Sequence, residues 1–385
     1  MVRAEIRRAG LGERRMSLRI RRIDQAQDFM SLAPLWAQLA GKSGQLSPFL
    51  SFDWFWCCWH GVWPQCRPEI LVIEEAGSPV AIIPLMHWRA WCRGLPVRYI
   101  GFLDCPSSPL VDVLTVAEHD RVIETLLDHL VGRSDWDTAC LQKLPVNSPT
   151  LKALESLLPE RFPWHRAGHV LYPYLAIDGD WERFYGAADL SLQETHRRVQ
   201  AQLKRAGGVH IEEHRTVDLQ SALFLEMLDI ISRRGKTDRD LGIAPMRRTR
   251  EFFCELTRRA CKNGWLSLWS LRLDGHVLAI EYQLRANGKI QTLWAWDDAV
   301  NRDFLPGRAL HLAILQSLFE GGRVYEYSVG PAVRGDCLWW ATGHHETVHL
   351  QIYRTGIYSG MLHRLETAVA PWAQKWHERA RASLT

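Results

Sequence analysis

Residues 303–309, Asp-Phe-Leu-Pro-Gly-Arg-Ala, have the composition of a loop that opens a helix and can hold a phosphate. The first turn of a helix offers unpaired backbone N–H groups and the positive end of the helix dipole. Gly307 permits close approach of a ligand to the backbone, and Arg308 can add a charge-assisted contact. The loop therefore predicts an anion site, although Pro306 and Gly307 also suit a sharp turn into a helix that binds nothing.

Carboxylates near this loop are candidates for proton transfer. They lie within or at the ends of predicted strands and are Glu281, Asp297, Asp298 and Glu326. A carboxylate can act as a general base that takes a proton from an attacking group. Glu281 has apolar neighbours, so burial is expected to raise its pKa toward that of a useful base; the alternative is a structural carboxylate paired with an arginine. Tyr327 can protonate a leaving group or simply pack in the interior.

The elements that position these residues follow from periodicity and turn residues. The predicted strands of this part of the chain are residues 265–273, 276–284, 289–296, 323–329 and 347–353. Asp274-Gly275 and Asn287-Gly288 join the first three strands, because these dipeptides tolerate the positive φ of two-residue hairpin turns. A helix precedes the last two strands and ends at Gly321-Gly322. Its apolar residues recur at three- and four-residue spacing and are Leu310, Ile314, Leu315 and Leu318.

This order of meander, loop, helix and two strands resembles the core of the GNAT superfamily of acyl-CoA-dependent N-acyltransferases. Over residues 165–355 the chain also resembles the bacterial acyltransferase family often labelled cellulose-biosynthesis or CelD-like. The words that carry this second resemblance are Leu273-Asp-Gly275, Ala279-Ile280, Trp296-Asp297, Leu305-Pro-Gly307 followed by Leu310, and Tyr327-Ser-Val-Gly330. The resemblance implies direct transfer of an acetyl or longer acyl group from CoA to an amine, with no enzyme nucleophile and no metal.

The resemblance also implies roles for individual residues. The cofactor loop would hold acetyl-CoA or another acyl-CoA through Phe304, Leu305, Gly307, Arg308 and Ala309. The predicted catalytic residues are Glu281, Asp297 and Tyr327, of which Asp297 belongs to the family's aromatic-Asp word. After Gly330, relatives often carry a Tyr-Lys pair, and Arg334 takes the place of that lysine as a predicted substrate-binding residue. The loop has one Gly where the GNAT pattern is Gln/Arg-x-x-Gly-x-Gly/Ala.

An internal repeat predicts two related halves. A shift of 198 residues places Gly275 on Gly77 and Ala279 on Ala81, so that two strands and their turn recur. The predicted fold class is therefore α/β (α+β), with tandem GNAT-like halves that each contain a mixed, mostly antiparallel sheet flanked by helices. The predicted division is a disordered extension (1–17), a degenerate N-terminal half (18–165), an acyltransferase half (166–360) and a C-terminal helix (361–385).

Three functions fit these observations. The first is a GNAT-type N-acyltransferase whose acceptor is a small-molecule or glycan-precursor amine, by resemblance a cell-envelope or exopolysaccharide precursor. The second is a peptidyltransferase that takes aminoacyl groups from tRNA, because tandem halves also resemble Fem-type enzymes. The third is a non-catalytic GNAT-fold scaffold in polysaccharide assembly, which the single-Gly loop and the missing Tyr-Lys pair favour. Acyl-CoA is the expected co-substrate of the first function, and tRNA is a partner under the second alone.

Composition and charge fit a folded protein with sizeable cores. The 385 residues are 47% hydrophobic and 23% charged, and a net charge of +4 argues for neither DNA nor a membrane surface as partner. No apolar run follows the Arg-rich residues 1–22, so neither a signal peptide nor a transmembrane segment is expected, and the predicted location is the cytoplasm. Nine cysteines without a C-x-x-C pair predict reduced, mostly buried thiols.

Two further motifs have alternative readings. Ser191-Leu-Gln-Glu194 predicts a capping box at the start of a helix that Gly207-Gly208 ends. Its basic residues fit a CoA-phosphate site, an RNA contact or a solvated surface, and are Arg197, Arg198, Lys204 and Arg205. Residues 345–349 match H-E-x-x-H, but their alternation predicts a strand rather than the helix of a zinc protease.

Overall fold

The computed structural model describes residues 17–188, 190–234, 246–298, 305–330 and 340–369. The predicted extension before residue 17, Phe304, Arg334 and most of the predicted C-terminal helix lie outside these ranges. The elements up to residue 188 are β1 (Leu18–Ile23), α1 (Ala26–Ser31), α2 (Ala33–Ser43), α3 (Phe52–Cys57), β2 (Arg67–Glu75), β3 (Ser78–Cys92), β4 (Leu95–Phe102), β5 (Leu114–Thr115), α4 (His119–Val131), β6 (Thr138–Pro145), α5 (Pro149–Leu157), β7 (Trp164–Ala176) and α6 (Trp181–Gly186). The elements from residue 190 are α7 (Leu190–Ala206), β8 (Val209–His214), α8 (Ala222–Arg234), α9 (Met246–Lys262), β9 (Leu266–Leu273), β10 (His276–Ala286), β11 (Lys289–Asp297), α10 (Pro306–Gly321), β12 (Glu326–Ser328), β13 (Gly343–Tyr353) and α11 (Ile357–Arg364).

The predicted meander is confirmed. Asp274 and Gly275, with φ of 50° and 84°, turn β9 into β10, and Asn287 and Gly288, with φ of 49° and 72°, turn β10 into β11. Both central residues of a type I′ turn need positive φ, which explains the two dipeptides. The predicted helix is α10, and its end at Gly322, with φ of 60°, is also confirmed. The strand predicted over residues 323–329 is shorter, since β12 has three residues.

The internal repeat has a counterpart in backbone geometry. Ala76 and Gly77, which join β2 to β3, have φ of 48° and 78°, close to the values at Asp274 and Gly275. The register of β2 with β3 leaves Val80 unpaired, and the register of β9 with β10 leaves Leu278 unpaired. The two bulges lie 198 positions apart, so turn and bulge recur together. The boundary at residues 165 and 166 stays a prediction, and it falls within β7.

In the described residues, one thirteen-stranded sheet joins both halves of the chain. Its order is β1-β2-β3-β4-β6-β13-β7-β12-β11-β10-β9-β8, with β5 paired to β3. β13, from the end of the chain, pairs with β6, while β7 pairs with β12. β7 and β13 also pair with each other. β13, the last strand of the second half, therefore lies beside β6 of the first half. β7, the last strand of the first half, lies beside β12 of the second half.

Helices cover both faces of the sheet near β10. On one face α9 packs through Phe253, whose ring lies 5.2 Å from that of Tyr282. The same core continues into the first half, where the rings of Trp54 and Phe252 are 6.0 Å apart. On the other face α10 covers buried residues of the sheet, among them Ala279 and Tyr327. Every helix in the described part of the chain is too short or too polar to span a lipid bilayer.

The strand exchange predicts cooperative unfolding. Leu350 of β13 is 1% exposed, and its backbone pairs with both β6 and β7. Leu350→Ala is expected to lower the free energy of unfolding by about 2–5 kcal/mol, because it leaves a cavity in a core that cannot close around it. Urea unfolding followed by circular dichroism and by tryptophan fluorescence should give coincident curves, both shifted.

Gln351→Ala is the matched control, since Gln351 is the half-buried neighbour on the opposite face of the strand. A variant in which one half melts well before the other would contradict the shared core.

Candidate active site

β11 and β12 share a short ladder, and we call the region beyond its end, between β11 and the N-terminus of α10, the wedge. They pair in parallel over three residues, from Lys289 opposite Glu326 to Gln291 opposite Ser328. Leu293 of β11 is a bulge with no partner on β10, and the described pairing with β12 stops just before it. Bulges bend a strand and increase its twist. β11 then runs on to Asp297, past the end of this ladder.

The N-terminus of α10 lies at the mouth of this wedge. Leu305 precedes the helix with φ of 42°, and the first helical bond joins the N–H of Ala309 to the carbonyl of Leu305 at 3.0 Å. The N–H groups of Gly307 and Arg308 therefore have no acceptor within the helix. The Arg308 side chain is exposed. This geometry is that of the predicted anion site.

Gly307 and Asp297 meet at the wedge mouth. A Cβ atom added at Gly307 would lie 3.0 Å from Cβ and 3.1 Å from Cγ of Asp297. Real Cβ contacts are seldom so close, so the packing of α10 against β11 favours glycine here. The structure thus brings together two residues that the sequence predicted separately, one for the cofactor and one for catalysis. Their roles stay predictions.

Glu281 is a buried carboxylate deeper in the wedge. It is 5% exposed, and its Oε1 accepts hydrogen bonds from the hydroxyls of Thr292 and Tyr327, both at 2.5 Å, and from Nε2 of Gln283 at 2.9 Å. Nδ1 of His311 lies 3.7 Å from Oε2. In the described residues its partners include no arginine, which the structural alternative required.

The expectation that burial raises the pKa of Glu281 is wrong. Burial alone does act in that direction, but the hydrogen bond and charge of His311 and the hydroxyl donors of Thr292 and Tyr327 outweigh it, so the pKa is lowered. A carboxylate of this kind stays ionised at neutral pH. It is therefore suited to stabilising a positive charge beside it, and less suited to accepting a proton itself.

His311 is a candidate that sequence reasoning missed. Its Nδ1 lies 3.2 Å from the Tyr327 hydroxyl, which itself donates to Glu281. Because the Tyr327 hydroxyl donates its proton to Glu281, its oxygen is the acceptor toward Nδ1 of His311 in the tautomer that has Nδ1 protonated. Nε2 is buried and has no hydrogen-bond partner among the described residues. The signal in the sequence was its position, four residues after Gly307 and on the same face of α10.

Trp340 lies against this cluster and was also missed. Its ring centroid is 5.4 Å from that of His311 and 5.8 Å from that of Tyr327. The side chain is 2% exposed, and in the part of the chain that the structure describes its indole N–H has no hydrogen-bond partner. Trp340 also lines an open cavity of about 500 Å³ beside α6. Other residues that line this cavity are Leu175, Arg183, Phe184, Phe319 and Thr342.

A row of buried polar side chains connects Glu281 to the far edge of the sheet. Gln283, which donates to Glu281, accepts from Ser267 at 2.9 Å, and Ser267 lies 2.8 Å from the carboxylate of Glu213 on β8. Gln283 and Ser267 are fully buried. These contacts link strands β8, β9 and β10 and hold the Gln283 amide with its NH₂ group toward Glu281.

The first half has a corresponding wedge that the chain fills itself. β4 and β6 also pair in parallel over three residues and then separate. The N–H of Val111 bonds to the carbonyl of Lys143 at 3.0 Å, so the segment after β4 occupies the gap. The Lys143 ammonium donates to the carbonyl of Cys105 at 2.7 Å and pairs with Asp104 at 2.9 Å. Burial lowers the pKa of Lys143, but Asp104 outweighs this, so the pKa is raised and the lysine stays charged.

The two remaining motifs have simple structural settings. Residues 345–349 lie in β13, as predicted, where His345 stacks on Tyr174 and its Nε2 lies 2.9 Å from Glu326. α7 begins at Leu190, so Ser191 lies inside the helix and the predicted capping box is wrong. The predicted end of this helix is confirmed by the positive φ of Gly207 and Gly208. All four basic residues of α7 are exposed.

The eight described cysteines are free thiols.

Comparison with known proteins identifies a family that is similar to the second half of the chain. Residues 191–339 match the family described as Acetyltransferase (GNAT) domain. The matched segment runs from α7 past β12 and contains Glu281, Asp297, Gly307, His311 and Tyr327. This part of the chain is thus similar to a GNAT acetyltransferase domain, and membership of the CelD-like family stays a prediction. No curated protein matches the chain.

Solved structures show the tandem arrangement. FemX is similar with a TM-score of 0.52 and 11% identity, over 82% of this chain and 94% of that one. A conserved protein of unknown function from Bacteroides thetaiotaomicron VPI-5482 has a TM-score of 0.54 and 11% identity, over 87% and 100%. A tandem GNAT protein from the clavulanic acid biosynthesis pathway has 0.50 and 10%, over 88% and 100%. The predicted fold class is confirmed.

The lowered pKa of Glu281 predicts a pH-dependent contribution to stability. A carboxyl with a depressed folded pKa stabilises the fold above its unfolded pKa, about 4.3, and loses that contribution as the pH falls through the folded value. Glu281→Gln is expected to lower the free energy of unfolding at pH 7 by about 1–3 kcal/mol, because its amide NH₂ would face other donors. Urea unfolding at pH values from 7 down to 3 should show this deficit shrinking below about pH 4.

Glu320→Gln, an exposed change on α10, is the control and should stay within about 0.5 kcal/mol of the wild type at every pH. A Glu281→Gln deficit that is constant with pH would show that the carboxylate is not charged in the folded protein.

Proposed function

We propose that the second half of the chain is an acyl-CoA-dependent N-acyltransferase that moves an acetyl or longer acyl group to an amine. The observation that carries this proposal is the wedge itself. It joins a helix N-terminus with unpaired N–H groups to a buried cluster of Glu281, Tyr327 and His311, one helical turn further along α10. Acyl transfer from a thioester requires an anchor for phosphates and a group that takes a proton from the amine, and the wedge supplies both.

The loop before α10 is the proposed anchor for CoA. The N–H groups of Gly307 and Arg308 would receive its pyrophosphate, and the exposed Arg308 guanidinium would add charge. Leu305, Ala309 and Phe304 complete the proposed cofactor residues. The close contact of Gly307 with Asp297 supports this role, because it leaves the helix start without a side chain that would block the backbone donors.

His311 is the proposed base. Its Nδ1–H is held by Tyr327, so Nε2 carries the lone pair that can accept a proton from the attacking amine. The ionised Glu281 stabilises the imidazolium that results. As the N–C bond forms and the C–S bond breaks, this proton is available for the leaving thiolate. Tyr327 then either donates a proton in the reaction or positions His311 and Glu281. Asp297, at the mouth of the wedge, would attract the ammonium form of the acceptor amine.

The proposed acceptor site is the cavity beside Trp340. The cavity beside Trp340 is close to the cluster and is lined by aromatic rings and Arg183, which suits a mixed polar and apolar molecule. The CelD-like resemblance supports a cell-envelope or exopolysaccharide precursor, with Arg334 as a substrate-binding residue. The reaction would take place in the cytoplasm, where acyl-CoA is available. The fold shared with FemX supports the aminoacyl-tRNA alternative, which differs in its donor.

Titration with acyl-CoA tests the anchor. Calorimetry with acetyl-CoA and longer acyl-CoAs should give micromolar binding, and Gly307→Glu should abolish it, since the new carboxylate would repel both Asp297 and the phosphates. Gly321→Glu is the matched control, because it makes the same change at the far end of α10, where a Cβ meets nothing within 4 Å. Circular dichroism should show that both variants are folded.

Binding that is absent in the wild type, or unchanged in Gly307→Glu, would exclude the wedge as a CoA site. Binding of an aminoacyl-tRNA in its place would support the Fem-type alternative.

The role of His311 is tested by steady-state kinetics. With an amine found by screening for thiol release from acetyl-CoA, His311→Ala should lower kcat by about 10²–10⁴-fold and leave acyl-CoA affinity nearly unchanged. His311→Ala with wild-type kcat would move the base elsewhere, with Asp297→Asn as the next variant.

A further inference from the structure

A buried hydroxyl lies between two acceptors on the path from the wedge to the edge of the sheet. Oγ of Ser267, on β9, is 2.9 Å from Oε1 of Gln283 and 2.8 Å from Oε1 of Glu213. The indole N–H of Trp269 donates to the same oxygen at 3.1 Å. A serine hydroxyl carries one proton, so only one of the two acceptors can receive it fully. Gln283 and Glu213 therefore compete for this proton.

Bulk solvent does not reach the hydroxyl. Ser267 and Gln283 are both 0% exposed, and Trp269 is also buried. Among the described residues, Ser267 is the one donor to Oε1 of Gln283. Because water from solution cannot replace that donor, a Gln283 carbonyl that loses the Ser267 proton stays unsatisfied, at a cost in free energy.

Glu213 has further donors and lies nearer the solvent. Its Oε1 is 2.8 Å from Nη1 of Arg215, and Nη1 of Arg285 is 3.7 Å away. The Glu213 side chain is 26% exposed and belongs to β8, the last strand in the sheet order. The competitor of Gln283 is therefore a partly exposed carboxylate between two arginines.

Gln283 connects Ser267 to Glu281. Its Nε2 donates to Oε1 of Glu281 at 2.9 Å while its carbonyl faces Ser267. If Ser267 donates to Glu213, the Gln283 carbonyl meets a hydroxyl oxygen with no proton between them. Rotation of the amide would relieve that contact, but the carbonyl would then face the Glu281 carboxylate, which is also an acceptor. The hydrogen bond to Glu281 is therefore strongest when Ser267 donates to Gln283.

The corresponding positions of the first half are apolar. The shift of 198 residues places Glu281 on Ile83 and Gln283 on Leu85, and both apolar side chains are buried. The turn and bulge that the two halves share therefore form without these polar contacts. The row of polar side chains is thus a property of the second half, where the proposed chemistry lies.

We propose that Glu213 is a positioning residue that acts on the Glu281 carboxylate through this row of buried side chains. The Glu213 carboxylate draws the Ser267 proton away from Gln283 and so weakens the hydrogen bond to Glu281. Hydrogen bonds in such a row polarise one another, which carries the effect across two strands. The coupling can be measured without substrate. Its meaning for acyl transfer rests on the proposed function, in which Glu281 stabilises the His311 imidazolium.

The side-chain amide of Gln283 reports this coupling by NMR at neutral pH. In the ¹⁵N-labelled full chain, its NH₂ signal is identified by its loss in Gln283→Leu. Glu213→Gln should move the NH₂ protons downfield, because Ser267 then donates fully to Gln283. Ser267→Ala should move them upfield. In the Ser267→Ala background, Glu213→Gln should have no further effect, because the connection is cut.

Glu212→Gln is the matched control, because it removes the same charge from the neighbouring residue of β8, whose side chain is 69% exposed. It should leave the Gln283 signal unchanged, which separates the hydrogen-bond path from the effect of charge alone. Glu213→Ala should move the signal in the same direction as Glu213→Gln and does not alter the core, so the test does not depend on Ser267→Ala alone. Circular dichroism should show that each variant is folded.

Two results would overturn the proposal. One is a Gln283 signal that does not respond to Glu213→Gln, and the other is a response of equal size with and without Ser267.

Kinetics separate this inference from the proposed function. With the amine found by screening, Ser267→Ala should lower kcat about tenfold, the factor that one hydrogen bond supplies, and leave acyl-CoA affinity unchanged. The predicted NMR response without a change in kcat would support the coupling and count against the proposed role of Glu281 in the reaction.

Discussion

A buried carboxylate fixes the relative positions of the elements in the second half. Glu281 has an ionised side chain in the interior, and burial of a charge is tolerated when hydrogen-bond donors surround it. Those donors come from β10 itself, from β11, from β12 and from α10, so one charge requires all four elements to keep their relative positions. The bulge at Leu293 is part of the same constraint, because it shifts the register that places Thr292 beside the carboxylate. Stability and the proposed chemistry therefore depend on the same contacts.

Each half contains a short parallel ladder with a wedge beyond its end. In the second half the ladder of β11 and β12 ends beside a helix start whose first N–H groups have no acceptor within the helix. In the first half the chain after β4 enters the corresponding gap, and Lys143 and Asp104 neutralise each other inside it. The first half thus resembles a wedge occupied by its own segment. This comparison explains why we place the proposed chemistry in the second half although turn and bulge recur in both.

Local signals in the sequence predicted local structure well. Asp274-Gly275 and Asn287-Gly288 predicted both hairpins, because positive φ is a property of the dipeptide itself. Gly307 and Asp297 were each named, but their contact depends on how α10 packs. His311 and Trp340 were missed because their place in the site depends on contacts with residues from other elements. For His311 these are Tyr327 and Glu281, and for Trp340 they include Tyr327. The sign of the pKa shift at Glu281 was wrong for the same reason, since burial is readable from neighbours whereas donors on other strands are not.

The exchange of β7 and β13 has a consequence for how the protein is made. β6 of the first half has its outer neighbour in residues 343–353, which leave the ribosome after nearly all the rest of the chain. Until then β6 presents an unpaired edge with exposed N–H and C=O groups, and such edges invite pairing with other chains. β7 is synthesised before its partner β12, so the pairing of these two strands also forms late. The sheet of the first half is therefore completed only after residues 343–353 have been synthesised.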